Sequence, residues 1–323
     1  MSEFTSLTRT HLGKDMHTLV SVQMPVFNGE KYLAEAVDSI LSQTFSDFEF
    51  LILDDGSTDD SLKLLQKYAA MDSRVHVITR ENRGLSATQY ELVQLSRGEF
   101  IAQLDQDDIA LPNRLELQLD FFRKNSEVVA LGGASQMIDG AGRYLTTLTM
   151  PETDKEIQEL HLKGICAIAH SSVMMRSAAL KSVGSYDKSY NSAADIDLWL
   201  RLGEIGKLAN LKDVLLKYRL HNKSTSEKAG QQQLQEMRRA CESAWSRRNV
   251  TGVFSSQLWR PGPDSASQHA FKLQYGWWAW NSRQRKTAAF YGWQAIRVKP
   301  FSISGWKLLI VALFKPLVNA ETA

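Results

Sequence analysis

From residue 19 to residue 133, short apolar runs alternate with stretches whose apolar residues recur every three or four positions. The runs at 50–53, 75–78, 100–104 and 128–131 are continuous rather than alternating, as expected of parallel strands covered on both faces. Between them, Leu33, Ala36, Val37, Ile40 and Leu41 predict a helix with one face against a sheet, and Leu62, Leu65 and Ala69 predict a second. Alternating β and α units of this kind point to an α/β fold with a doubly wound, mostly parallel sheet flanked by helices, whose ligands bind beyond the carboxyl ends of the strands. Three of those ends carry polar loops: Pro25-Val26-Phe27-Asn28-Gly29, Asp54-Asp55-Gly56-Ser57-Thr58-Asp59, and Asp105-Gln106-Asp107-Asp108. They are expected to meet in one crevice. Residues 134–219 have a more mixed pattern, helix-like at 153–162 and 195–202 and strand-like at 172–175 and 214–218, and read as the second wall of that crevice. From 231 onward the chain reads as helical, interrupted by the Pro261-Gly262-Pro263 turn and by Pro300.

Composition adds little until its distribution is considered. A chain of 323 residues with 43% hydrophobic and 23% charged residues is long enough to bury a sizeable core. Cys166 and Cys241 are too few for a disulfide framework and are expected as inert core thiols in a reducing compartment. The first residues include His11, Lys14, Asp15 and His17 and lack the apolar stretch of a secretory signal, so residues 1–18 read as a loose tail and export is not expected. Net charge is only +2, but residues 265–320 hold eight Lys or Arg and no Asp or Glu. Trp277, Trp278, Trp280, Trp293 and Trp306 fall in the same stretch. Either this is an accessory helical layer with buried Trp, or it rests on an anionic membrane surface. Its longest apolar run, 308–314, falls far short of the roughly 20 residues that span a bilayer.

The Asp105-Gln106-Asp107-Asp108 cluster carries the first chemical signal. Carboxylates crowded where a buried strand emerges repel one another unless a divalent cation holds them, and oxygen ligands favour Mg²⁺ or Mn²⁺, ions that serve bound phosphates. The other reading is a solvated acidic turn. No G-x-G-x-x-G opens the first helix, which argues against a nicotinamide dehydrogenase. Gly29 alone after the first strand argues against a sugar nucleotidyltransferase with its Gly-rich phosphate loop.

With its loops in this order, the chain from about residue 20 to residue 221 resembles the family 2 glycosyltransferases, inverting enzymes of the GT-A fold that use nucleotide-diphospho-sugars. The resemblance implies that Pro25, Val26, Phe27, Asn28 and Glu30 contact the nucleotide, with Phe27 where a Tyr is common. It implies that Asp55 accepts a hydrogen bond from the base; the alternative is a helix cap, a role Thr58 and Asp59 can fill. Asn82 and Gly84 are placed near the ribose and diphosphate, and Gln89-Tyr90 replaces the Arg-Asn of many relatives. Asp107 becomes the direct ligand of Mn²⁺ or Mg²⁺, with Asp105 and Gln106 near the ribose or the metal's waters and Asp108 an outer partner or a cap before Pro112. Asp195 falls on the catalytic-base position, preceded by Ala194 where Glu is frequent, while Asp197 and Arg201 read as a helix-surface pair. His170 either lines the acceptor side or is structural, and His221 either completes the metal or diphosphate site or is structural.

On this reading residues 19–225 form the glycosyltransferase domain, with a nucleotide-sugar half at 19–110 and an acceptor half at 111–225, followed by a helical, basic, Trp-rich region at 226–323. The implied activity is metal-dependent, single-addition transfer to a glycan or lipid-linked acceptor in surface polysaccharide synthesis, since the Gln-x-x-Arg-Trp motif of processive synthases is missing. The expected setting is cytoplasmic or peripheral on the inner membrane face, without a nucleic-acid partner. The competing reading is a catalytically inactive nucleotide-sugar-binding or scaffolding protein of the same fold.

Overall fold

The computed structural model describes residues 18–221, 230–256 and 264–316. Residues 1–17 of the expected 1–18 tail, the 225/226 boundary and the Pro261-Gly262-Pro263 turn lie outside the described residues. The first half alternates as the periodicity predicts: β1 (Val20–Val26), α1 (Glu30–Leu41), β2 (Phe48–Asp54), α2 (Ser61–Met71), β3 (Val75–Thr79), α3 (Leu85–Leu95) and β4 (Phe100–Gln103). After the short β5 (Ile109–Ala110) and α4 (Arg114–Lys124) come β6 (Val128–Asp139), β7 (Tyr144–Leu148), α5 (Asp154–His161), β8 (Met174–Arg176), α6 (Ser177–Ser182), α7 (Ala194–Leu202) and β9 (Lys207–Leu220). The helical end comprises α8 (Gly230–Arg248), α9 (Ser265–Asn281), α10 (Arg285–Val298) and α11 (Ile303–Phe314).

Among the described residues one nine-stranded sheet runs in the order β3-β2-β1-β4-β8-β6-β9-β5, with β7 on β6. It is parallel through β3, β2, β1 and β4 and mixed beyond, because β8 enters antiparallel to both β4 and β6. The core packs where the patterning places it. Leu33, Ala36, Val37 and Ile40 of α1 are buried against Val22, Met24 and Ile52, and each such side chain contributes about 1.5–3 kcal/mol. In α2 the stripe is shifted: Leu65 is buried with Leu64, Tyr68 and Ala69 beside it, so Leu62 is not part of that cluster.

The second half holds the larger departures from the sequence reading. The predicted strand at 128–131 extends to Asp139, and the one at 214–218 begins at Lys207. Gly132 and Gly133 break the apolar run, yet they are what lets β6 lie against β9, since a Cβ on Gly133 would stand 2.6 Å from Leu215. Helix α8 joins the acceptor half rather than the helical end: Ala240, Cys241 and Ala244 lie in one core cluster with Trp199, Ile157 and Leu208. Helices α9 to α11 form the accessory layer, with Tyr275, Tyr291 and Leu308 packed on Met137 and Leu145. The Tyr291 hydroxyl donates to Asp139 Oδ2 at 2.7 Å, and the Arg143 guanidinium pairs with the same carboxylate at 2.7 Å. Trp277, Trp278 and Trp280 are partly buried there. No helix among the described residues is long and apolar enough to cross a membrane.

Candidate functional site

Strand register determines which loops meet. Val26 of β1 pairs with Asp54 of β2, and Gln23 pairs with Gln103 of β4, so the chain leaves three adjacent strands at one edge. Phe27 and Asp55 follow directly, and Asp105 follows Gln103 after Leu104. Phe27 is 46% exposed, a ring held out at the mouth.

These loops are tied together mainly by their own polar groups. The Gln106 side chain accepts from the Phe27 amide at 2.9 Å and donates to the Phe27 carbonyl at 3.1 Å. It lies directly over Gly29, where a Cβ would come within 2.3 Å of Gln106 Oε1. Asn28 accepts from the Thr58 amide at 2.8 Å, its own amide donates to Ser57 Oγ at 2.9 Å, and the Glu30 carboxylate accepts from the Asp60 amide at 3.0 Å. Gln106, Asn28 and Glu30, expected to touch the ligand, are thus engaged in holding the loops. The N-cap of α2 is Asp60, which makes no side-chain cap bond, while Asp59 accepts from the Ser61 amide at 3.0 Å.

Asp55 is buried, and its carboxylate accepts from the Arg83 and Gly84 amides at 2.8 and 2.9 Å as well as from the Arg80 guanidinium. Three donors occupy most of the roughly four lone-pair positions of a carboxylate, which makes Asp55 the pin of the Asn82–Gly84 turn. Gly56, with φ +73°, lets the second loop press onto that turn: a Cβ would meet the Asn82 amide nitrogen at 2.8 Å. Asn82 itself is exposed.

The acidic cluster separates into distinct environments. Asp107 Oδ2 lies 2.6 Å from His221 Nε2, and the His221 ring packs on Tyr32 with centroids 4.9 Å apart. Asp108 is buried and accepts from the Arg219 amide at 2.8 Å. Burial and the neighbouring Asp107 and Asp105 charges push its carboxyl well above the usual carboxylate range. The Arg219 guanidinium donates to the Asp107 carbonyl at 2.8 Å and also reaches Glu35, so β9 clamps this loop from below. Buried Arg114 donates to the carbonyls of Gln103 and Ser171 at 2.7 and 2.9 Å. Burial pulls its guanidinium down to about 9 against the opposing Asp108 and Asp105 charges, leaving it protonated at neutral pH.

On the other side of Asp105 stands His170. Its Nδ1 is 3.6 Å from Asp105 Oδ1, and its Nε2 is 2.9 Å from the Tyr186 hydroxyl. Burial disfavours the imidazolium, but hydrogen bonding and charge from Asp105, with the charge of Asp195, outweigh it and raise the ring's pKa. Asp195 lies in the first turn of α7 with Oδ1 accepting from the Ile196 amide at 2.8 Å. Burial raises its pKa, against the His170 charge and the helix amides that lower it. Asp105, His170 and Asp195 therefore sense one another's charge. Asp197, expected on the surface, is buried and paired with Arg201, which also donates to the Val183 carbonyl at 2.6 Å. Of the two expected core thiols, Cys241 is buried while Cys166 is exposed, its Sγ 3.9 Å from Asp195 Oδ2.

Several members of this network do not stand out in the motifs. Gln23 and Gln103, buried on adjacent strands, bond to each other at 3.0 Å, and Gln103 donates to Tyr186 at 3.0 Å. A polar residue inside an otherwise apolar strand was the available signal for both. Gln89, read from the sequence only as a departure from the family's Arg-Asn, is also buried and lies 3.4 Å from His170 Nε2. Tyr186 carried no signal distinguishing it from an ordinary loop residue.

Against known proteins, the model of the family described as "Glycosyl transferase family 2" matches residues 21–182. The chain belongs to that family. It is 35% identical over 215 residues to the O-antigen biosynthesis glycosyltransferase WbnJ of Escherichia coli, covering 65% of this chain and 83% of WbnJ. It is 34% identical over 209 residues to chondroitin synthase of Escherichia coli, but spans only 30% of that protein against 64% of its own length. Among solved structures, S. aureus TarS 1-349 in complex with UDP shares the fold at TM-score 0.54 and 18% identity, over 91% of this chain and 86% of that one. The mannosyltransferase PcManGT from Pyrobaculum calidifontis, in complex with GDP-Man and Mn²⁺, matches at TM-score 0.53 and 14% identity over 93% and 82%. The GT-A arrangement expected of the family is the fold of this member.

Among the described residues no three His, Cys, Asp or Glu side chains gather into a metal cage. The loop ends offer a pair, Asp107 and His221. A hard cation that serves phosphates needs only one or two protein ligands, with water and substrate oxygens completing an octahedron at about 2.0–2.1 Å. Adjacent ligands of such an octahedron stand about 3 Å apart. A pair at 2.6 Å fits that geometry after a small opening.

Proposed function

We propose that this protein transfers a sugar from a nucleotide-diphospho-sugar to a hydroxyl of a glycan or lipid-linked acceptor, with inversion, in the assembly of a surface polysaccharide. The observation that carries the reading is His170, whose Nδ1 stands 3.6 Å from Asp105 Oδ1 of the acidic loop and whose charge couples to Asp195 of α7; it supports reading Asp105 as the leaving-group side and Asp195 as the base of one crevice. The O-antigen role in the name of WbnJ supports the destination.

In this scheme the base of the donor lies against Phe27 and the turn pinned by Asp55, while Asp107 and His221 would hold the Mn²⁺ or Mg²⁺ that serves the diphosphate. The imidazole nitrogen favours Mn²⁺ of the two. When bound, the cation neutralises the negative charge that accumulates on the departing diphosphate. The acceptor hydroxyl attacks the anomeric carbon from the opposite face. Its oxygen forms the new bond, the bond to the diphosphate breaks, and the hydroxyl proton passes to Asp195 Oδ2, because Oδ1 is engaged by the Ile196 amide. A carboxylate whose pKa is raised by burial is a stronger base, so the desolvation of Asp195 serves the proton transfer. The Asp105 and Asp195 charges raise the pKa of His170, so its ring is more readily charged there than in water.

Released nucleoside diphosphate, measured across UDP-, GDP- and dTDP-sugars with Mn²⁺ and candidate acceptors, tests the reading. Asp195→Asn is expected to lower transfer by about 10²-fold or more while nucleotide binding is retained. More than about a tenth of the parent rate would remove Asp195 from the role, and no turnover with any donor would leave the scaffolding alternative.

A further inference from the structure

Helix α11 is apolar nearly all the way round, yet only one side of it is covered. Gly305, Leu308 and Ala312 are buried against α9 and α10. Ile303, Trp306, Ile310, Leu313 and Phe314 are exposed, at successive spacings of three, four, three and one. At 3.6 residues per turn these five fall within an arc of about 100°, opposite the buried three. Trp293 of α10 and Phe301, which precedes α11, add two more exposed rings. A helix hydrophobic on every face is normally buried, and a contiguous exposed apolar patch marks an interaction surface.

Charge identifies the partner. Arg297, Lys299, Lys307 and Lys315 flank this stripe, and no Asp or Glu occurs between residues 265 and 320. No ion pair involves any of the four among the described residues, whereas Arg285 donates to the Ala312 carbonyl at 2.6 Å and closes the end of α11. The Trp306 indole N–H donates to the Pro300 carbonyl at 2.9 Å, which holds the ring in place before any partner arrives. Apolar and indole groups in the middle with unpaired cations around them are what an interfacial helix presents to lipid. A second copy docking through the same patch would bring the two sets of cations together, an unfavourable arrangement for a two-fold contact.

We propose that the exposed face of α11, with Trp293 and Phe301, docks on an anionic lipid bilayer. The Tyr291–Asp139 hydrogen bond and the Arg143 guanidinium over the Phe290 ring at 3.6 Å fasten the layer to the β6–β7 hairpin, so docking holds the whole catalytic domain at the surface. This inference does not depend on the chemistry proposed above.

The test uses the full chain and sucrose-loaded vesicles of phosphatidylcholine, with and without phosphatidylglycerol, in low and in molar salt. Pelleting is expected only with phosphatidylglycerol, and salt should reverse it. Lys299→Gln, Lys307→Gln and Lys315→Gln are each expected to weaken partitioning about fivefold. Ile303→Ser with Ile310→Ser and Phe314→Ser should abolish it without altering the melting curve. Brominated lipid should quench the Trp fluorescence of the unmodified protein, a measurement that needs no variant to fold. Absence of pelleting, absence of quenching, equal partitioning into neutral vesicles, or a concentration-dependent dimer that the triple serine variant loses would overturn the proposal; the last would assign the face to a second copy.

Discussion

Acidification should expose a liability far from the catalytic crevice. His161, at the end of α5, is buried with neither ring nitrogen hydrogen-bonded. Burial, reinforced by the Arg248 charge, pushes its pKa down from 6.5 to about 3. In the unfolded chain the imidazole takes up a proton as pH falls through about 6.5, while in the folded protein it does not until about 3. The unfolded state therefore binds more protons throughout that window, and folding stability falls as pH falls. At pH 7 the contribution is close to zero, and at pH 5 it reaches about 2 kcal/mol of destabilisation from this one side chain. Urea unfolding of the parent and of His161→Phe at both pH values isolates it, because every other titrating group is common to the two proteins. The variant should lose about 2 kcal/mol less than the parent between pH 7 and pH 5. Equal losses would show that His161 is hydrogen-bonded or solvated in solution and would refute the reasoning.

Three further outcomes follow from the site and its supports. Calorimetry of UDP or GDP binding to Asp107→Ala should show loss of the Mn²⁺-dependent part of the affinity, and unchanged affinity would count against the Asp107–His221 pair as the metal position. Arg114→Met leaves the Gln103 and Ser171 carbonyls without their donor and should cost about 3 kcal/mol in chemical denaturation; a loss below about 1 kcal/mol would mean that water reaches them. Tyr291→Phe removes a hydrogen bond to the Asp139 carboxylate and should lower the melting free energy by about 1.5–3 kcal/mol, with no loss expected only if Arg143 alone satisfies that oxygen.

Much of this architecture was legible from residue spacing. Continuous apolar runs and three-four periodicity located β2, β3, β4 and α1, and polar clusters at the strand ends located the loops. These are local properties: a buried strand must be apolar on both faces, and a helix against a sheet must be apolar along one stripe. The long β6 and β9 were read only in part, since Gly132, Gly133 and Asn210 serve a close approach between two strands more than 70 positions apart and look like interruptions in a linear pattern.

Side-chain roles were less legible than side-chain neighbourhoods. The sequence brings Asn28, Glu30, Asp55 and Gln106 to the right loops, but only the folded chain decides that each is bonded to another loop. A carboxylate or amide looks the same in sequence whether it faces ligand or backbone, and the choice depends on which N–H groups the fold delivers within about 3 Å. The same limit applied to the Trp-rich end. Local pattern determined that it is helical, basic and aromatic, whereas packing against β6 and β7 decided that Trp277, Trp278 and Trp280 turn inward while Trp293 and Trp306 face out. What neighbours exist along the chain is written in one dimension; which groups those neighbours leave unsatisfied is settled only in three.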